Sequence, residues 1–189
     1  MSRAVLSIGA NLGDRLAHLR GVVEGFADRV VAVSSVYSTA PWGGVEQDDF
    51  LNAIVVVDDP GFSGLDWLRA GQRMEQRAGR VREVRWGART LDVDVVWCAD
   101  LRAGTLVAAR SSDQELTLPH PQAHRRAFVL VPWLEVERDA TLEVDGVSHT
   151  VRALLDGLDA EERDGVHLTD LTLLPNTAHA SADPRRSTP

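Results

Sequence analysis

The chain has 189 residues, a net charge of −8 and 44% hydrophobic residues, the profile of a soluble globular protein long enough to bury a core. The acidic balance argues against bulk binding of nucleic acid or anionic membrane, and one cysteine, Cys98, excludes an intrachain disulfide framework and a cysteine-rich zinc site. There is no lysine, which excludes a P-loop; no apolar run approaches the ~20 residues of a membrane span, the apolar N-terminal stretch is too short for a signal peptide, and the expected location is the cytoplasm.

Residues 3–9 (RAVLSIG) read as a short strand. From Asp14 to Asp28 the apolar residues Leu16, Leu19, Val22, Val23 and Phe26 recur at helical spacing. In the GANLGD turn between them, Gly9 and Gly13 are expected to supply the turn and Asn11 or Asp14 the helix start. A dinucleotide fingerprint is not supported there, because the third glycine is missing. The β-branched runs 30–38 and 52–58 read as strands, joined by the loop TAPWGGVEQDDF. Ser63 and Asp66 form a capping-box pattern that opens a helix over 64–78, ended by Gly79. An arginine-rich loop leads to a strand over 90–97.

The order β-α-β-β-α-β predicts an α+β protein with a ferredoxin-like sandwich, an antiparallel sheet carrying two helices on one face. Residues 99–115 are polar and read as an insertion loop. Pro121 suits the first turn of a helix whose apolar stripe is Ala127, Val131 and Leu134. Asp145-Gly146 marks a hairpin, and 151–158 a short helix; together these form a C-terminal hairpin and helix extension. Residues 1–174 are expected to be a single domain, and 175–189, poor in apolar residues, a disordered tail. With no second catalytic domain in view, the chain reads as monofunctional.

Chemistry concentrates in RWGARTLDVDVV, residues 85–96. On a strand Asp92 and Asp94 share one face, while Leu91, Val93, Val95 and Trp97 occupy the other. Two carboxylates side by side repel and resist desolvation unless something positive lies between them, and Mg²⁺ is the natural candidate. Alone, the triplet reads more readily as two acids facing solvent. Between Arg69 and Arg89, however, stand seven arginines against two acids. Arg69, Arg73 and Arg77 recur every four residues and suit a solvated helix face. Arg80, Arg82, Arg85 and Arg89 lie in the loop, where amphipathicity does not explain them. Guanidinium groups bind phosphate in bidentate fashion, so loop and strand together hold the parts for phosphoryl-type transfer.

Four motifs in order, LSIGANLGDR, STAPWGGVEQDDFLNA, RWGARTLDVDVV and LTLPHPQAHRRAFVL, resemble the 6-hydroxymethyl-7,8-dihydropterin pyrophosphokinases of folate synthesis, over roughly residues 4–135. The resemblance implies the ferredoxin-like fold, ATP as co-substrate, two Mg²⁺ ions, and transfer of pyrophosphate to the pterin hydroxymethyl oxygen with release of AMP. It makes Asp92 and Asp94 the magnesium ligands and Arg80, Arg82 and Arg89 the catalytic arginines. Gln72, Glu75, Arg82, Arg89, His120 and Arg126 would contact ATP. A second reading of Glu75 is a surface helix partner for arginines one turn away. Phe50 and Phe128 would stack on the pterin, though by composition alone both read as core. Asn52 and Thr39 would read its edge, Ala40, Pro41 and Trp42 would shape the loop, and Trp86 would fold over the substrates. His124 is left as a surface histidine.

The chain departs from the family pattern in a few places. Ala88 and Ala40 stand where proline is common and Phe50 where tyrosine is. The arginine loop is one residue short between Arg82 and Arg85, and Glu115 and Pro121 replace ATP-contacting types. These changes bear on nucleotide affinity more than on the reaction. Ferredoxin-like domains also bind RNA through exposed sheet aromatics, but the net charge and the lack of an RNP1-like run oppose that. The expected partners are pterin and ATP alone, with no nucleic acid and no membrane, on a monomer.

Overall fold

The computed structural model describes residues 1–41, 47–80 and 89–174. In chain order the elements are β1 (Ser2–Ala10), α1 (Arg15–Phe26), β2 (Val30–Val33), β3 (Tyr37–Thr39), β4 (Phe50–Asp59), α2 (Gly64–Arg77), β5 (Asp92–Arg102), β6 (Thr105–Ala108), β7 (Ser111–Ser112), β8 (Thr117–Leu118), α3 (Ala127–Val136), β9 (Thr141–Val144), β10 (Val147–Thr150), α4 (Val151–Asp156), α5 (Ala160–Asp164) and β11 (Val166–Leu168). The main sheet has the order β11-β3-β4-β1-β5-β6, with β2 also paired to β4. Every described pairing in it is antiparallel. The architecture is therefore α+β, built on one antiparallel sheet.

β1 runs down the middle of the sheet, and its alternation creates two different faces. Ala4, Leu6, Ile8 and Ala10 point into a core formed with Leu19, Val22 and Phe26 of α1 and Trp67 of α2. Val5 points the other way, into a second core with Ile54, Val56, Leu130 and Trp133. Each fully buried side chain of this size contributes roughly 1.5–3 kcal/mol, so both faces anchor the fold. Trp67 is fully buried, and its indole Nε1 donates to Ser2 Oγ at 3.1 Å, meeting the need of a buried N–H for an acceptor.

The two expected helices form as their signals require. Asp14 caps α1 by accepting from Ala17 N at 3.0 Å. Ser63 and Asp66 close a reciprocal capping box on α2, and Gly79 ends it with φ of +71°. Arg69, Arg73 and Arg77 are exposed on α2, as a solvated face predicts. The hairpin at Asp145-Gly146 and the short helix after it are also present.

Five local expectations require correction. The run 30–38 is two strands, because Ser34 turns inward and its Oγ accepts from Ile54 N at 2.9 Å, interrupting the ladder. β5 continues to Arg102 with a register shift: Leu6 pairs with Val95 and Val5 with Trp97. That extra residue reverses the parity beyond it, so Trp97 packs on the second core and Cys98 on the first. The insertion 99–115 is largely a hairpin. Ala103 and Gly104 both have positive φ, the requirement of a two-residue turn matched to strand twist. Pro121 lies in a turn, and the helix begins only at Ala127, after a short 3-10 segment at Ala123–Arg125. Gly9 sits inside β1 rather than in a turn.

Candidate active site

Apolar filling on the second face stops short of one end of the sheet. Register places Ser7 between Ile54 and Asp94, and Gly9 between Asn52 and Asp92. Residues opposite one another in a ladder share a face, so Asn52, Gly9 and Asp92 form a row, with Ser7 and Asp94 one step behind. Phe50 lies two residues from Asn52 on the same face, opposite Thr39. The segment leading into α3 lies over this floor. The resulting cavity, of about 310 Å³, is lined by Ser7, Gly9, Thr39, Ala40, Phe50 and Asn52 on one side. Asp92, Asp94, Arg89, Arg125, Arg126 and Phe128 line the other, with Gln47 and Gln122 at its edges. That volume is within the range of small-molecule sites, roughly 300–1,000 Å³.

The cavity has an aromatic half and a charged half. Phe50 and Phe128 are half-buried rather than core residues, and the Arg126 guanidinium lies 5.6 Å from the Phe128 ring centroid, a cation–π distance. Asn52 is buried and donates from Nδ2 to Thr39 Oγ1 at 2.9 Å. A Cβ on Gly9 would stand 3.0 Å from Asn52 Oδ1, so glycine leaves the Asn52 amide its place. This is a close-approach role, different from the expected turn.

Asp92 and Asp94 share the predicted face, and both meet cations. Asp92 Oδ1 lies 2.6 Å from Arg80 Nη1, and its Oδ2 accepts from Arg89. Asp94 Oδ2 lies 3.5 Å from Arg126 and 3.8 Å from His120 Nε2. Burial, reinforced by the negative charge of Asp92, pushes the Asp94 carboxyl above its usual range, while His120, Arg126 and Arg89 oppose the shift. Burial pushes the His120 imidazole down, against the pull of Asp94. The longer contacts of Asp94 with Arg126 and His120 do not offset its burial.

Glu75 is not the surface partner considered above: it is buried. Its Oε1 accepts from Val93 N at 2.9 Å and also from Arg80. It thereby satisfies a backbone donor on β5 and steers Arg80 toward Asp92. Gln72 lies one helical turn earlier on α2, half-buried, and does not line the cavity; nor does Pro41. Asn11, expected at the helix start, instead ties two segments together. Its Nδ2 donates to Gln47 Oε1 at 2.9 Å and its Oδ1 accepts from Arg89 N at 2.7 Å. Glu115 is exposed and faces Arg69 at 3.7 Å. Trp42, Arg82 and Trp86 lie outside the described residues.

Reasoning from sequence missed Ser7, Gly9, Gln47, Gln122 and Arg125 as cavity residues. For Ser7 and Gly9 a signal existed: in β1 the alternate series Val5, Ser7, Gly9 loses its apolar character just where Leu6 and Ile8 keep theirs. Gln122 lies in the turn, and Arg125 in the short 3-10 segment, that precede α3, the helix expected to begin at Pro121. Among the described residues no group of three or more His, Cys, Asp or Glu could hold a metal. The site supplies two carboxylates and leaves the remaining positions to other ligands. That donor set suits Mg²⁺, which keeps waters and takes substrate phosphates, rather than a metal needing an all-protein cage.

The model of the 7,8-dihydro-6-hydroxymethylpterin-pyrophosphokinase family matches residues 5–138. The chain is 55% identical over 175 residues to the 2-amino-4-hydroxy-6-hydroxymethyldihydropteridine pyrophosphokinase of Mycobacterium leprae, covering 92% of each chain. It is 48% identical to the enzyme of that name from Mycobacterium tuberculosis strain H37Rv, over 95% of this chain and 96% of that one. Among solved structures, Plasmodium falciparum HPPK-DHPS with pteroate aligns at a TM-score of 0.55 and 14% identity, over 81% of this chain and 41% of that one. That likeness concerns the fold, and the chain spans less than half of that protein. From the family match and the two mycobacterial relatives, the chain belongs to the 7,8-dihydro-6-hydroxymethylpterin-pyrophosphokinase family.

Proposed function

We propose that the cavity over Ser7, Gly9 and Asn52 is where this chain performs its family's reaction, the transfer of pyrophosphate from ATP to 6-hydroxymethyl-7,8-dihydropterin in folate biosynthesis. The observation that carries the reading is the join, within one cavity, of a Phe50–Phe128 aromatic slot and an Asp92–Asp94 carboxylate pair. A pterin is flat and rich in donors and acceptors; it needs planar walls and polar edge partners. Phe50 and Phe128 provide the walls, and Thr39 and Asn52 the edge. In that pose the hydroxymethyl arm points toward the carboxylates.

The reaction forms a bond between the hydroxymethyl oxygen and the β-phosphorus of ATP. The bond from that phosphorus to the oxygen bridging the α-phosphate breaks, AMP leaves, and the hydroxyl proton is released. Two Mg²⁺ ions held by Asp92 and Asp94 would lower the pKa of the hydroxyl and offset phosphate charge. The arginines do the rest by position. Arg80 and Arg89 now engage Asp92, and Arg126 faces Asp94. With Mg²⁺ held at Asp92 and Asp94, the guanidinium groups of Arg89 and Arg126 would be available to the triphosphate, while Arg80 would still be bonded to Glu75. His120 beside Asp94 reads as a further ATP contact, as do Gln72 and Glu75, although the burial of Glu75 also suits a supporting role. Arg82 and Trp86 would join from the loop, with Trp42 beside Pro41.

The strand order of the sheet, with the expected second, third, first and fourth strands side by side, supports a ferredoxin-like reading. Residues 1–174 are read as one domain. No described helix is long and apolar enough to cross a membrane, and α3 covers the sheet face an RNA-binding domain would leave open. The reading remains that of a cytoplasmic monomer working on small molecules.

The test is a nucleotide product assay with Mg²⁺ and ATP, with and without the pterin. Pterin-dependent AMP is the expected outcome. ADP would mean simple phosphoryl transfer on the same scaffold, and AMP release indifferent to the pterin would remove the substrate assignment.

A further inference from the structure

The family match ends at residue 138, yet the sheet is completed by residues well beyond it. β11 pairs with β3, placing Val166 opposite Thr39, His167 opposite Ser38 and Leu168 opposite Tyr37. Thr169 then donates from both N and Oγ1 to Val36 O, at 3.0 and 2.8 Å. Arg20 of α1 holds Thr172 O through Nε and Nη2, at 3.0 and 2.9 Å. Leu173 is buried in the core under α1 and α2, while Val166 packs on the core of the opposite face. The segment 166–173 therefore wraps the sheet edge and is anchored on both sides of it.

What it clamps is β3, a three-residue strand that ends at Thr39. Without the strap β3 would be a short edge held by three pairs to β4, with one row of backbone groups open to water. Thr39 and the following Ala40 line the cavity. Thr39 stands between Phe50 on one side and Val166 on the other, and its Oγ1 accepts from Asn52. We infer that the C-terminal strap 166–173 is a positioning element for the pterin wall, presetting Thr39 and Asn52 so that the pterin does not have to order them on binding. This rests on the assignment of that wall to the pterin. Preorganisation of this kind appears in affinity, because ordering costs are removed from the binding step.

The strap offers a matched pair of substitutions. Thr169 N–H points at β3, and donors alternate sides along an antiparallel strand. His167 N–H therefore points at β3 and Leu168 N–H away from it. His167→Pro deletes a ladder donor, whereas Leu168→Pro places the ring where an edge strand tolerates it. In full-length protein, His167→Pro is expected to raise KM for the pterin about three- to tenfold, the worth of one ladder hydrogen bond. KM for ATP and kcat should stay within about twofold, and the amides of Tyr37–Thr39 should exchange faster with solvent. Leu168→Pro should change none of these. Faster exchange at β3 with an unchanged pterin KM would overturn the inference, and so would equal effects of the two prolines. Asn52→Ala separates the inference from the reading beneath it. If Asn52→Ala leaves the pterin KM unmoved, the wall has been misassigned; if only Asn52→Ala moves it, the strap has no positioning role.

Discussion

The two faces of the sheet are made by the same strands with the same alternation, and they do different work. Under α1 and α2 the inward residues beyond Ser2 are apolar: Ala4, Leu6, Ile8 and Ala10 on β1, Val93 and Val95 on β5. Under α3 and α4 the series begins apolar, with Val5, Ile54 and Val96, and then gives way to Ser7, Gly9, Asn52, Asp92 and Asp94. One face spends its area on stability. The other is filled only halfway, and its unfilled half is where polar groups stay clear of one another without collapsing the fold. Stability and chemistry are therefore separable by side-chain parity on β1 and β5, and substitutions on opposite faces should fail in opposite ways.

The largest effect belongs to the closed face. Trp67→Ala removes a fully buried indole and the hydrogen bond it donates to Ser2 Oγ. A loss of about 3–5 kcal/mol in unfolding free energy is expected, read by denaturant titration. The surviving folded fraction should keep its KM values, since Trp67 has no part in the cavity. A large change in pterin or ATP KM at unchanged stability would break the division between faces.

Asp94→Asn tests the other side. Activity in the AMP assay should fall about 10²–10³-fold, and Asp92→Asn should do the same. Stability should hold or rise in Asp94→Asn, because the carboxylate it removes is disfavoured by burial and by Asp92. The sign is opposite to that of a salt-bridged surface acid: a carboxyl with a raised folded pKa weakens the native state as pH rises through the ordinary carboxylate range, and the amide removes that slope. A clear drop in melting temperature with activity retained would sink both the metal assignment and the contrast.

Gly9→Ala should be milder. The new Cβ would meet Asn52 Oδ1 at 3.0 Å and push against the amide that bonds Thr39. A rise in pterin KM on the order of tenfold is expected, about 1.4 kcal/mol, with the fold intact. Unchanged pterin KM would mean that Asn52 takes no part in binding.

How much of this was legible beforehand follows the same division. The helices of the closed face could be read residue by residue, because helical spacing and a capping box are local signals, whereas the β-branched run 30–38 read as one strand and is two. Asp92 and Asp94 could be placed on one face from parity alone. What local pattern could not show was contact at long range. The bulge that carries Trp97 to the other face arises from pairing with β1. Glu75 reads as a helix-surface acid until Val93 N is brought to it. The strap at β11 pairs with a strand more than a hundred residues away. The pterin wall came from resemblance, since Phe50 and Phe128 read as core on composition.

The smallest effect is at the border between the filled and open halves, where Tyr37 stands. Tyr37 pairs with Asn52 across the ladder, and its hydroxyl donates to Glu135 Oε2 at 2.9 Å. Glu135 also accepts from Ser35 N and Ser35 Oγ, so α3 is fastened to the sheet beside the cavity by one carboxylate. Burial, then the hydrogen bond and the charge of Glu135, push the Tyr37 phenol up from 10.0 to about 12. Tyr37 is the only tyrosine in the chain, so tyrosinate absorbance after a rapid pH jump reports on it alone. A midpoint near 12 is expected, moving toward 10 in Glu135→Gln. Because the folded pKa is the higher one, the stabilisation is complete below pH 10 and disappears as pH rises through 12. The clasp is thus insensitive to pH across the neutral range, and Glu135→Gln should leave catalysis near neutrality almost untouched. A midpoint near 10 in the unmodified chain would show that α3 is not held to β3 at this point, and the boundary between the two halves of the face would have to be drawn elsewhere.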